Sequence, residues 1–120
     1  MQVISMIVND EFGVMQRIMG EFTRKKINVE TIVVGKCELD GKARIVLTVL
    51  ERPQAEQAVD RLERLHDVLE VDIVDETRHE AYALVANKEG KARLIGSIPE
   101  VAGLIESMKP EKYIQAVNAL

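Results

Sequence analysis

An α+β fold is predicted by three features of this sequence. It has the order β-α-β-β-α-β over residues 1–76 and a short strand/helix appendage over residues 77–120. Strand-like apolar stretches alternate with stretches whose apolar residues recur at helical spacing. Leu39-Asp40-Gly41 has the composition of a tight hairpin. Pro53 follows a strand-like run at a place that suits the first turn of a helix.

The first strand covers residues 3–8, where β-branched and flexible apolar residues surround Ser5, as in a central strand buried on both faces. Val14, Ile18 and Phe22 then recur every fourth residue, with Met15 and Met19 beside them. Arg17, Glu21, Arg24 and Lys25 lie off that stripe, so residues 13–25 read as an amphipathic helix. Residues 29–38 return to β-branched side chains, and residues 43–50 form the returning arm of the hairpin. A second helix over residues 54–66 presents Ala55, Ala58, Leu62 and Leu65, and in residues 69–73 apolar and acidic side chains alternate as in a half-exposed strand. Two apolar helix stripes need one common surface, which puts both helices on one face of an antiparallel sheet, the ferredoxin-like split arrangement. In the appendage, residues 81–86 read as a strand and residues 101–108 as a helix stopped by Pro110. Residues 113–120 fit either type and lean to strand through Tyr113, Ile114 and Val117.

Composition excludes several function classes. The net charge is −4, and acidic side chains exceed basic ones by five in residues 1–76, which argues against a nucleic-acid footprint. The run Arg24-Lys25-Lys26 complements a helix C-terminus. A single cysteine, Cys37, in an apparent strand, forms no internal disulfide and fits a reducing cytoplasm. No apolar run approaches the ~20 residues of a membrane span. Aromatics make up 3% of the chain, so the core is aliphatic. A chain this short buries a modest fraction of its surface, which favours an oligomer.

Catalytic and metal chemistry find little support. His66 and Asp67 are neighbours, and adjacent residues do not face each other. His79 stands alone in a polar linker, and Asp72, Asp75 and Glu76 match no metal loop. No enzyme activity, metal or cofactor is expected.

The strongest functional signal lies in residues 10–30, DEFGVMQRIMGEFTRKKINVE. The free N–H groups at a helix start form a receptor for a carboxylate, and Gly13 permits close backbone approach there. This segment resembles the first turn and helix of an ACT domain, and in particular the small regulatory subunit of acetohydroxyacid (acetolactate) synthase. That family has Asn three residues before a Gly, where this chain has Asp10 and Gly13, and usually Pro or Ser where Phe12 stands. Its helix ends Phe-Ser-x-Arg-Gly-Tyr-Asn-Ile-Glu-Ser-Leu, similar to residues 22–32 here, with Lys26 in the place of the Gly. Its Leu-x-Asp-Val-Leu-x-Val stretch resembles residues 65–71. The family's second domain is longer than residues 77–120.

The resemblance implies a non-catalytic regulatory protein that binds valine or a similar amino acid between two protomers, with a catalytic synthase subunit as partner. The N–H groups of Gly13, Val14 and Met15 would take the ligand carboxylate, Asp10 its ammonium, Asn28 either group, and Val14, Val29 and Ile32 an aliphatic side chain. Two plainer readings stand beside this one. Asp10 could simply cap the helix and Asn28 support a turn, or the sheet could serve as an oligomerisation module without any amino-acid ligand.

Overall fold

The structure, a computed structural model, describes residues 1–120. In chain order the elements are β1 (Gln2–Asn9), α1 (Val14–Arg24), β2 (Thr31–Lys36), β3 (Lys42–Val49), α2 (Arg52–Leu62), β4 (Val68–Val74), β5 (His79–Asn87), β6 (Gly90–Gly96), α3 (Ile98–Met108) and β7 (Lys112–Ala119). The first four strands form one sheet in the order β2-β3-β1-β4, and all neighbours are antiparallel. This is the expected split order, with two helices on one face. A second sheet has the order β6-β5-β7.

Pleating sorts β1 into two sets of side chains. Ile4, Met6 and Val8 point to the helical side with Ile45 and Leu47 of β3. There they join Val14, Ile18 and Phe22 of α1 and Ala55, Ala58 and Leu62 of α2 in one aliphatic cluster. Phe22, 2% exposed, is the only aromatic in that cluster, and truncating such a residue to Ala costs about 3–5 kcal/mol. On the opposite face Val3, Val46 and Val74 join a second cluster with Ala81, Val117 and Val101 of the β5–β7 segment. Coverage from both sides explains why six consecutive residues of β1 are buried.

Helix α1 ends in a motif that the sequence disguises. Lys26 has φ 56°, and around it the N–H of Ile27 donates to the Phe22 carbonyl (2.9 Å) and that of Lys26 to the Thr23 carbonyl (3.1 Å). This is the paired bonding of a Schellman stop, with Ile27 and Phe22 both in the core. Its left-handed position ordinarily belongs to glycine, and here lysine occupies it.

Some boundaries differ from the sequence expectation. β2 is shorter than residues 29–38, and Cys37 lies just past its end rather than within it. α2 stops at Leu62, before Leu65. Glu21 lies off the apolar stripe yet is only 9% exposed, because Arg61 of α2 reaches its carboxylate at 3.4 Å and ties the two helices together. Strand β6 carries no strand signal in the sequence. It pairs with β5 over its whole length, but most of its side chains are exposed, so it has no apolar alternation. α3 starts three residues before the expected position, at a capping box in which Ser97 accepts from the Glu100 N–H and the Glu100 carboxylate accepts from the Ser97 N–H.

Candidate functional site

The turn between β1 and α1 is pinned from three sides. The Asn9 N–H donates to the Asp67 carbonyl (2.9 Å), the Asp10 N–H to the Gly41 carbonyl (3.0 Å), and Lys42 Nζ to the Asn9 side-chain oxygen (2.8 Å). The chain then reverses into α1 through Gly13, whose φ of 85° is left-handed. Glycine reaches that region without a Cβ penalty.

No side chain caps α1, so Asp10 does not serve as its cap. The Val14 N–H is held by the Glu11 carbonyl at 3.3 Å, and the N–H groups of Gly13 and Met15 have no protein acceptor. The Gln16 N–H is likewise unpaired, so the start of the helix has a partial positive charge and three open donors. Arg17 adds a full charge beside it. Its Nε and Nη2 are fixed on Asp67, and its Nη1 lies 3.1 Å from where a Cβ on Gly13 would sit. The sequence had placed Arg17 only on the polar side of the helix, because its acidic partner comes from the segment before β4.

The other residues picked from the sequence are spread around this turn. The Val14 side chain is buried in the core at 3% exposure, so within one chain only its backbone can face a ligand. Met15 and Val29 pack against the same core. Asn28 is exposed, and its Nδ2 donates to Glu30 at 3.2 Å. Ile32 lies on β2, the edge strand, and is 38% exposed together with Val34 at 50%. Both point to the helical side of the sheet, where α1 and α2 leave them bare. Phe12, in the turn itself, is fully exposed.

A cleft lies elsewhere, between the β2–β3 hairpin and the ends of β5 and β7. It has a volume of about 560 Å³, and Lys36, Arg44, Arg78 and His79 are in its lining. Two of its cations are already matched, Arg44 by Glu38 and Arg78 by Asp72. No cluster of three or more His, Cys, Asp or Glu residues could hold a metal ion, and no helix is long and apolar enough to cross a membrane.

Comparison with known proteins converges on the same region. The family model described as an AHAS small subunit-like ACT domain matches residues 4–70, from β1 into β4. A probable acetolactate synthase small subunit of Methanothermobacter thermautotrophicus is 40% identical over 72 residues, covering 58% of this chain and 42% of the relative. The acetolactate synthase small subunit of Bacillus subtilis is 37% identical over 79 residues, covering 63% of this chain and 46% of the relative. This chain thus spans less than half the length of either. Among solved structures, the acetolactate synthase small subunit from Thermotoga maritima superposes with a TM-score of 0.77 over 99% of this chain and 95% of that one. At 20% identity this likeness speaks for the fold.

Proposed function

The chain belongs to the family of AHAS small subunit-like ACT domains, and from that premise we propose that it is a non-catalytic regulatory subunit of acetolactate synthase that binds a branched-chain amino acid in the cytoplasm. In this reading residues 1–76 are the regulatory unit and residues 77–120 its appendage. Two copies pair along β2, and valine or a similar amino acid sits between them, beside the start of α1. The ligand carboxylate takes the open N–H groups of Gly13 and Met15, with Asp10 and Asn28 as polar partners and Val29 and Ile32 as the aliphatic wall. Binding changes the geometry of the pair, and a catalytic subunit responds to that change.

The observation that carries the proposal is the family match across β1 to β4, which includes the turn at Gly13. Two features of the single chain support it. The α1 start has unpaired donors, and the β2 edge leaves Ile32 and Val34 bare, as an unpaired apolar edge does when it is normally covered. A second reading, an oligomerisation module without an amino-acid ligand, is favoured by Phe12. Its fully exposed ring stands at the turn itself, and it would serve a protein contact as well as a ligand.

Calorimetric titration with valine, leucine and isoleucine tests the proposal, alongside Gly13→Asp. The new carboxylate would occupy the anion position and repel the ligand. The expected result is saturable binding by the wild type and none by the variant. Absence of heat and of any thermal shift with all three amino acids at millimolar concentration would leave the second reading in its place.

A further inference from the structure

The β6-β5-β7 sheet is covered on only one side. Ala81, Ala83 and Val85 of β5 face Val101 and Ile105 of α3. On the opposite side Tyr82, Leu84, Ile95 and Ile114 are 38%, 43%, 68% and 66% exposed. The strand registers set them in two adjacent rows, Ile95–Tyr82–Ala116 and Arg93–Leu84–Ile114. The next row along the strands is Lys91–Ala86–Lys112, and the row at the other end is Glu80–Asn118. Single exposed apolar residues are ordinary on a surface, whereas a contiguous group framed by charges marks a contact.

We propose that this face is a self-association surface on which a second copy packs its own β5–β7 face, with the order of rows reversed. Two face-to-face arrangements with two-fold symmetry keep the strands of the two copies aligned. With the axis along the strands each row lies over its own copy, and the basic row meets itself, Lys91 over the partner's Lys112. With the axis across the strands the rows reverse. Glu80 then comes over the partner's Ala86 and between the partner's Lys91 and Lys112. Tyr82 meets the partner's Leu84, the small Ala116 meets the partner's Ile114, and Ile95 lies along the apolar stem of the partner's Arg93. Charge and side-chain size both select the second arrangement. A symmetric contact requires such a pattern, since each residue must match the surface its own copy presents.

The area sets the role of the contact. Three strands at ~4.8 Å spacing give a face about 14 Å wide. That is narrower than the ~800 Å² per partner of a standard stable interface requires. The contact therefore adds to pairing along β2 and does not replace it, and it is independent of any amino-acid ligand.

Sedimentation velocity on the full chain at micromolar concentration tests this. Ile95→Lys, which sets a like charge against the partner's Arg93, and Ile114→Glu change exposed side chains, and far-UV spectra and melting curves check that both variants fold. Each is expected to halve the sedimenting mass. Halving from four copies to two leaves the β2 contact in place. A fall from two copies to one would overturn the proposal as stated, because this narrow face would then hold a dimer without β2. The pair Lys91→Glu with Lys112→Glu is expected to lose the contact, and adding Glu80→Lys is expected to return the wild-type mass. A mass unmoved by Ile114→Glu, a triple variant that stays dissociated, or a wild type that is monomeric would each overturn the proposal.

Discussion

Arg17 of α1 and Asp67, fifty residues later, meet in a forked contact in which Nε and Nη2 of the guanidinium both reach one carboxylate oxygen at 2.7 Å. The carboxylate is largely buried and the arginine half exposed. The backbone carbonyl of the same Asp67 receives the Asn9 N–H. One residue thus anchors the end of β1 through its backbone and the first turn of α1 through its side chain.

Arg17→Ala is expected to destabilise the fold by about 1–2 kcal/mol. The loss is that of a charged hydrogen bond to a buried oxygen, reduced by the solvent around the guanidinium. Urea unfolding should show a lower midpoint with an unchanged slope. Under the proposed function the same variant weakens binding of an amino-acid carboxylate, because a positive charge leaves the α1 start.

Lys26→Gly should raise stability by up to about 1 kcal/mol, since the left-handed backbone at Lys26 is costly for a residue with a Cβ. The gain is partly offset by the extra freedom of glycine in the unfolded chain. A thermal melt that moves down would show that the lysine side chain makes a compensating contact.

Much of this architecture was legible in the sequence, for reasons that particular residues make clear. Val14, Ile18 and Phe22 repeat at helical spacing because one sheet face absorbs all three, and Gly13 marked the reversal because the turn needs a left-handed residue. The Arg17–Asp67 and Arg61–Glu21 pairs were not legible. Each joins elements brought together only by the fold, and a charge on a helix reads as solvent-facing until its partner is placed. β6 escaped notice because most of its side chains, including Lys91, Arg93 and Ile95, are exposed, which erases the alternation that reveals a strand.

Thr48→Val should cost about 1–3 kcal/mol although it keeps the shape. Thr48 is fully buried, and its hydroxyl accepts the Thr31 N–H at 3.0 Å and bonds the Thr31 hydroxyl at 2.7 Å. The valine leaves both groups unpaired. Because Thr31 begins the edge strand, amide exchange in β2 should quicken more than exchange in β1.

The pH dependence follows from three carboxylates held below their ordinary values, 3.8 for Asp75 and 4.5 for Glu100 and for Glu38, the last lowered first by its side-chain hydrogen bond to Arg44. The Thr77 hydroxyl and backbone N–H stabilise the charge on Asp75, and bonds to Ser97, first through its side chain and then through its backbone, do so for Glu100. A lowered folded pKa means that the unfolded chain binds more protons in the window between the two values. The contribution is therefore present above the ordinary value and is lost as pH falls through the folded one. Melting temperature measured from about pH 6 to about pH 3 should fall, and the double variant Asp75→Asn with Glu100→Gln should fall less steeply over the same range.

The central position of β1 also shapes how the protein is made. β1 does not pair with the strand that follows it in sequence, since its two partners are β3 and β4. At ~5–20 residues per second, Val74 at the end of β4 leaves the ribosome's catalytic centre ~3–13 s after Asn9. Both edges of this aliphatic segment are free until β3 follows, and one stays free until β4 does. The yield of soluble protein is therefore expected to depend on translation speed and on the supply of chaperones that hold unfolded segments, more than on the stability of the finished fold.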